Sequence, residues 1–252
     1  MCLIAWNWKP GAPTPLLLIA NRDEFYTRPT KALSQWADGR IVAGKDLDAG
    51  GTWLGITRTG RLAALTNYRA PALMRTGTPS RGELVTAFLN SELAAPVFLE
   101  ALAGRAERYN PFNLLVYDGV QLMGLQSRGA QVVSFAPGIG AVSNADFQLP
   151  WPKLTALSQG LSANIESGET SNQALLALLQ NSATAPDEAL PQTGLSLERE
   201  RALSAAFIAT PDYGTRACSI VRMGQTHAEF TEHGFDANGF IAATSQVVAL
   251  VV

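Results

Sequence analysis

The apolar pattern of the chain predicts a layered domain in which strands and helices pack together. Strand-like segments occur in three groups along the chain, and a group of segments with helical spacing follows each of the first two. No repeat or linker interrupts the 252 residues, which are 47% hydrophobic and 16% charged. This composition predicts one domain over residues 1–252 with a sizeable buried core.

The first strands predict a hairpin that brings chemically useful residues together. An apolar run from Cys2 to Trp8 is followed by a turn and a second apolar run, which ends in the polar residues Asn21-Arg22-Asp23-Glu24. A turn between antiparallel strands places their far ends side by side. We therefore expect Cys2 to lie beside Arg22 and Asp23.

The next elements are predicted from the same kinds of pattern. Residues 25–36 are rich in Arg, Pro and Thr and predict a loop. A short strand at 41–43 and a hairpin over 53–68 follow. Ser80 and Glu83 have the spacing of a capping box, which predicts a helix that begins at Ser80.

The rest of the chain predicts one more helix, a meander of strands, a block of helices and a final group of strands. The helix covers 97–109, and the meander comprises 113–118, 121–126, 131–135 and 140–143. The helical block covers 151–165, 172–180 and 197–208, and the last strands are 217–223, 228–233 and 240–252.

Cys2 is a candidate nucleophile because of its position. A second residue as small as cysteine normally allows an aminopeptidase to remove Met1, which makes Cys2 the N-terminus. Its α-amine, with a reference pKa of roughly 7.7–8, is then partly neutral near pH 7 and can accept the proton of its own thiol. Asp23 would orient the amine, and Arg22 would favour the thiolate. The alternative interpretation is that Cys2 is a small buried apolar residue of a strand.

The motif after Met-Cys resembles the signature of the NRDE family, also called the transport and Golgi organisation protein 2 family. The similarity extends along nearly the whole chain. It includes several further ordered blocks, which are Gly51-Thr-Trp-Leu-Gly55, Leu65-Thr-Asn-Tyr-Arg69, Ser80-Arg-Gly-Glu83, Tyr109-Asn-Pro-Phe-Asn113, Ser143-Asn144, Pro150-Trp-Pro-Lys153 and Tyr213-Gly-Thr-Arg216.

This resemblance implies an α+β fold, the four-layer αββα sandwich of two antiparallel sheets flanked by helices that is associated with N-terminal nucleophile hydrolases. The chain is also distantly similar to the choloylglycine hydrolase and penicillin V acylase group, which uses an N-terminal cysteine. That similarity implies a nucleophile, a carboxylate, an oxyanion-stabilising asparagine and a late arginine at Cys2, Asp23, Asn144 and Arg216.

Three further residues are expected to support the site, namely Asn21, Arg22 and Asn67, the last as a weaker match to a second oxyanion asparagine. The choloylglycine group spaces its early arginine and aspartate three residues apart, whereas Arg22 and Asp23 are adjacent. Adjacent residues on a strand face opposite sides. The sequence therefore favours Asp23 as the neighbour of Cys2 and leaves the role of Arg22 open.

Two functional hypotheses follow. The first is an N-terminal-cysteine amidohydrolase that cleaves a non-peptide C–N amide bond of a small acylated substrate and requires no cofactor. The second is a non-catalytic protein that binds and carries haem, acyl-CoA or a lipid, with Cys2, His227 or His233 as haem ligand.

Composition argues against several other classes of protein. The net charge of −2 gives no basic surface for nucleic acid. The longest apolar runs are far shorter than the roughly 20 residues of a transmembrane helix. Two cysteines and two histidines are widely scattered and do not have metal-ligand spacing. We expect a cytoplasmic protein with free thiols.

Overall fold

The hairpin at the start of the chain sets the position of Cys2. In the computed structural model, which describes residues 2–251, strands β1 (Cys2–Trp8) and β2 (Leu16–Phe25) are antiparallel, and Cys2 pairs with Arg22. All seven residues of β1 are buried, which explains why this strand is a continuous apolar run instead of an alternating one. The predicted proximity of Cys2 and Arg22 is confirmed.

The other elements follow in chain order. The strands are β3 (Thr30–Gln35), β4 (Ile41–Asp46), β5 (Leu54–Thr57), β6 (Leu62–Asn67), β7 (Phe112–Tyr117), β8 (Leu122–Gln126), β9 (Gln131–Ser134), β10 (Gly138–Val142), β11 (Tyr213–Met223), β12 (His227–Asp236) and β13 (Gly239–Ala249). The helices are α1 (Gly82–Asn90), α2 (Ala95–Ala103), α3 (Pro152–Ser167), α4 (Asn172–Leu179) and α5 (Leu197–Ala202).

The strands form two antiparallel sheets. The six-stranded sheet has the order β10-β1-β2-β11-β12-β13, and the seven-stranded sheet contains β3 to β9 in sequential order. β1 and β2 are therefore interior strands of the first sheet, with β10 and β11 as their outer neighbours. The catalytic candidates lie at the ends of β1 and β2, where Cys2 pairs with β2 and the pairing of β1 with β10 begins two residues later, at Ile4.

The two sheets enclose the central core, and helices cover their outer faces. Because side chains alternate along a strand, Ile4 and Trp6 of β1 face the central core, whereas Leu3 and Ala5 pack against residues of α3 and α4. The helices α1 and α2 pack on the outer face of the seven-stranded sheet. The predicted αββα sandwich is confirmed.

Two strand predictions were wrong. Residues 30–35 were predicted as a loop but form β3, which pairs with β4 at the edge of its sheet. Leu33 is its one buried residue, so its sequence carries almost no apolar alternation. The strand predicted to close the meander, β10, instead pairs with β1 in the other sheet. Strand pairing across a long sequence separation is not visible in local periodicity.

The predicted capping box does not form. Helix α1 begins at Gly82, two residues after Ser80. The Ser80 Oγ accepts a hydrogen bond from the Gly82 amide at 3.3 Å, while Glu83 accepts one from the Tyr109 hydroxyl at 2.6 Å. Glu83 therefore connects the helix to the segment before β7. None of the helices in residues 2–251 combines the length and the hydropathy needed to cross a bilayer.

Candidate active site

Cys2 faces a polar cavity between the two sheets. Alternation along β1 places Cys2 on the same face as Ile4 and Trp6, which lie in the central core. Its side chain is 6% exposed and lines a cavity of about 310 Å³ together with Arg22 and Asp23. A thiol that lines a cavity of this size is a candidate nucleophile.

Arg22 lies on the same side of the sheet as Cys2. It pairs with Cys2 in register, and its guanidinium reaches the opposite sheet, where it donates to Thr30 at 3.3 Å and lies 3.7 Å from the Asp46 carboxylate. Arg28 donates to the same carboxylate at 2.7 Å. Although burial opposes it, the hydrogen bond from Arg28 keeps the pKa of Asp46 below its usual value. The sequence left the role of Arg22 open. The structure shows that Arg22 is the cation on the strand opposite the thiol.

Asp23 and Asn21 have the opposite orientation. Asp23 is 1% exposed, also lines the polar cavity, and accepts a hydrogen bond from the Thr215 hydroxyl at 2.8 Å. The Asn21 amide donates to the carbonyls of Leu179 and Ala206 at 2.7 and 2.8 Å. Asp23 is therefore hydrogen-bonded to β11 at the edge of the cavity, whereas Asn21 attaches the sheet to its helical layer.

The environment of Cys2 keeps the thiol protonated in the chain that carries Met1. The pKa of the thiol is raised to about 11, chiefly by burial; Asp23 and Glu24 also raise it, and Arg22 lowers it. In that form Cys2 also has an amide nitrogen in place of an amine. Activation of the thiol therefore requires a base or an additional positive charge.

The two asparagines assigned to oxyanion stabilisation lie together but differ in exposure. Asn67, at the end of β6, lines the polar cavity. Asn144 is fully buried and donates from its side-chain amide to the Asn67 carbonyl at 2.8 Å. The Asn144 carbonyl accepts a hydrogen bond from the Arg69 amide at 2.7 Å. Asn144 thus holds the segment that carries Asn67, and Asn67 is the asparagine that faces the cavity.

Arg216 is bound to backbone carbonyls. Its guanidinium donates to the carbonyls of Phe25, Tyr26, Arg28 and Phe235 at 3.0–3.2 Å. These contacts fix the loop between β2 and β3, which carries Arg28 to the cavity. Arg216 does not belong to the described lining of the cavity, so its influence on the thiol remains a prediction.

Three residues near Cys2 were not identified from the sequence as members of the site: Arg81, Lys153 and Tyr213. Arg81 lines the cavity and donates to the Pro111 carbonyl at 3.0 Å. Burial raises the pKa of Tyr213 well above its usual value, and the charges of Asp23, Glu24 and Cys2 add to the effect. All three residues belong to blocks that carry the family resemblance, and membership of those blocks was the available signal.

A second, mostly apolar cavity adjoins the first. Its volume is about 330 Å³, and it shares Glu24, Asn67 and Arg81 with the polar cavity. Much of the rest of its wall is apolar, with charged groups at Arg69, Arg199 and Asp212; the apolar part includes Phe25, Tyr68, Ala70, Pro71, Met74, Leu195, Ala202 and Leu203. A ligand that spans both cavities would have one polar and one apolar part.

Other features assigned to ligand binding lie away from these cavities. His227 is exposed and lies 3.7 Å from Glu229, and His233 packs on Phe240 with 5.8 Å between ring centroids. Neither histidine belongs to the described lining of either cavity. Within residues 2–251, no group of three His, Cys, Asp or Glu side chains is arranged to hold a metal ion.

Solved structures of two hydrolases share this fold. The structure is similar to the C2A mutant of conjugated bile acid hydrolase from Clostridium perfringens, with a TM-score of 0.53 at 9% identity, over 99% of this chain and 97% of that one. It is also similar to the Caenorhabditis elegans ortholog of N-acylethanolamine-hydrolyzing acid amidase, with a TM-score of 0.50 at 11% identity, over 71% and 85% of the two chains. The fold is that of the N-terminal nucleophile hydrolases.

The sequence defines the family. The profile of the Transport and Golgi organisation 2 family matches residues 1–237. The Bos taurus Transport and Golgi organization protein 2 homolog is 36% identical over 255 aligned positions, and the Homo sapiens homolog is 34% identical; in both cases 92% of each chain is covered. The chain belongs to the Transport and Golgi organisation 2 family.

Proposed function

We propose that this protein is an N-terminal-cysteine amidohydrolase that cleaves the C–N bond of a small, non-peptide N-acyl amide. The observation that carries the proposal is the position of Cys2: it begins an interior strand, pairs with Arg22 and opens into a cavity that Asp23 also lines. The two proteins of similar fold are named for hydrolysis of N-acylethanolamines and of conjugated bile acids. Those names support the reaction class and do not define the substrate.

In the proposed mechanism, removal of Met1 gives Cys2 a free α-amine next to Asp23. The amine takes the thiol proton, and the sulfur attacks the amide carbonyl carbon to form a tetrahedral intermediate. The Asn67 side chain, held by Asn144, stabilises the oxyanion. The C–N bond then breaks, the amine product leaves with the proton, and water hydrolyses the acyl thioester.

The two cavities suggest how the substrate is oriented. The apolar cavity accommodates the acyl chain and the polar cavity accommodates the amine part, so that the amide carbonyl between them lies next to Cys2. Burial of each methylene contributes about 0.8 kcal/mol, roughly a fourfold change in affinity. We therefore expect a preference for acyl groups longer than acetyl.

This preference can be measured with acetyl, hexanoyl and decanoyl amides of one amine. We expect release of the free amine with a kcat/KM that rises from the acetyl to the decanoyl compound. The matched control is an uncharged acyl chain as long as decanoyl in which ether oxygens replace some methylenes, because it has the same length with less apolar surface and cannot pair with the arginines of the wall. Lack of amine release from every amide by protein without Met1 would contradict the proposal.

Binding of an apolar ligand without hydrolysis is the second candidate function. The apolar cavity of about 330 Å³ favours it. In this case the decanoyl amide would bind and remain intact, and added haem would shift its Soret band if haem is the ligand. Turnover of the amide distinguishes the first function from the second.

A further inference from the structure

Lys153 occupies an unusual place for a lysine. It is in the first turn of α3, after the N-cap Trp151 and Pro152, and its side chain is buried with 4% exposure. α3 packs on β1 and β10, and Leu154 and Leu157 of the same helix join the apolar cluster around Leu3. Lys153 therefore lies in the helical layer against the strand that begins with Cys2.

The charge of Lys153 is not explained by packing. Its ammonium has no hydrogen-bond partner among the described residues. It also lies at the N-terminal end of a helix, where the helix dipole opposes positive charge. Leucine or methionine would fill the same space without removing a charge from water. Because burial of an unpaired ammonium is unfavourable for folding, its presence indicates a functional role for the amine.

The groups that surround Lys153 connect it to the thiol. Burial lowers its pKa to about 8; Asp23, Cys2 and Glu200 raise the value, and Arg69 lowers it. Lys153 therefore carries its charge at neutral pH and loses it as the pH rises through about 8.

We propose that Lys153 is a positioning residue for the Cys2 site: its buried ammonium offsets the charge of Asp23 and thereby favours the thiolate form of Cys2. Negative charge on Asp23 makes loss of the thiol proton harder, and a nearby cation reverses that effect. The other titratable side chains that interact electrostatically with the thiol are Arg22, Glu24, Arg81 and Tyr213. Among the side-chain cations named here, the lysine is the one whose pKa, about 8, lies within the working range of an enzyme; the α-amine of Cys2 titrates in the same range but is common to every variant compared below.

The sign of the effect follows from these charges. Below about pH 8 the protonated Lys153 favours the thiolate, and above that pH the neutral amine does not. A change of one unit in the pKa of the thiol alters the thiolate fraction about tenfold at neutral pH. The advantage that Lys153 gives to Cys2 should therefore be present below pH 8 and disappear above it.

The experiment compares rates of iodoacetamide labelling at Cys2, read by peptide mass, on both sides of pH 8. We expect Lys153→Met to label about tenfold more slowly than the unmodified sequence at neutral pH, with the difference closing above pH 8. Lys153→Arg retains its charge and should keep the advantage at the higher pH. Lys31→Met, at an exposed position of β3, is the control and should follow the unmodified protein throughout.

Equal rates at neutral pH, or a ratio that stays constant across the pH range, would overturn the proposal. If Lys153→Met does not fold, the pH profile of Lys153→Arg is sufficient. The proposal requires this variant to label faster than the unmodified protein above pH 8. The inference rests on the Cys2 site of the proposed function but not on hydrolysis. If the protein did not hydrolyse amides, the expected labelling rates would be unchanged. Failure of the proposed function can therefore be distinguished from failure of this inference.

Discussion

Replacement of Cys2 by alanine is expected to reduce amide turnover by at least about 10⁴-fold, because the variant has no atom that can form the acyl-enzyme bond. Binding of the same amide should change little, since the cavity walls remain in place. Amine release under single-turnover conditions, with binding followed separately, measures both quantities.

The matched control is the same substitution at the other cysteine. Cys218 is fully buried in the outer apolar cluster, where it pairs with Asn21 of β2. Cys218→Ala should retain turnover close to that of the unmodified protein. Turnover that survives Cys2→Ala would show that another group attacks the amide.

Substitution of Arg69 by methionine is expected to lower the free energy of unfolding by about 3–5 kcal/mol. Arg69 donates to Glu200 at 2.7 Å, and the two side chains are only 3% and 5% exposed. Arg69 also lies over the Trp151 ring, 4.8 Å from its centroid. Without Arg69, a buried carboxylate would lose its cation, which is the main source of the penalty. Urea unfolding measures the change.

Two comparisons separate this explanation from a simple loss of packing. Glu200→Gln in the Arg69→Met background should recover part of the stability, because the neutral amide no longer needs a cation and can still accept from the Thr193 amide. Arg201→Met removes an exposed ion pair with Asp187 and should have no measurable effect. Equal losses in Arg69→Met and Arg201→Met would contradict the argument.

The first hairpin could be predicted from the sequence because its signals are local. Two apolar runs, a turn and a polar end fix which residues lie opposite each other, and Cys2 does pair with Arg22. The same alternation places Arg22 and Asp23 on opposite faces, but Arg22, and not the favoured Asp23, shares the face of the thiol. It could not show which face holds the thiol, since β1 is buried on both sides.

The rest of the site depends on tertiary packing. The burial of Lys153 follows from the packing of α3 against β1. A single lysine after Pro-Trp-Pro does not indicate whether its side chain is buried or exposed. The contact between Asn144 and the Asn67 carbonyl joins residues 77 positions apart. β3 was missed because an edge strand with one buried residue has little periodic signal. Sequence patterns indicate local elements, whereas these contacts are set by how the layers pack.

The most direct test of the central claim is the intact mass of the purified protein, before and after limited reaction with a thiol reagent. The proposed mechanism predicts a mass lower by one methionine, because Cys2 must have a free α-amine. It also predicts a single adduct at Cys2, since Cys218 is fully buried and burial raises the pKa of its thiol well above the usual value. Retention of Met1, or equal labelling of the two cysteines, would contradict an activated N-terminal nucleophile.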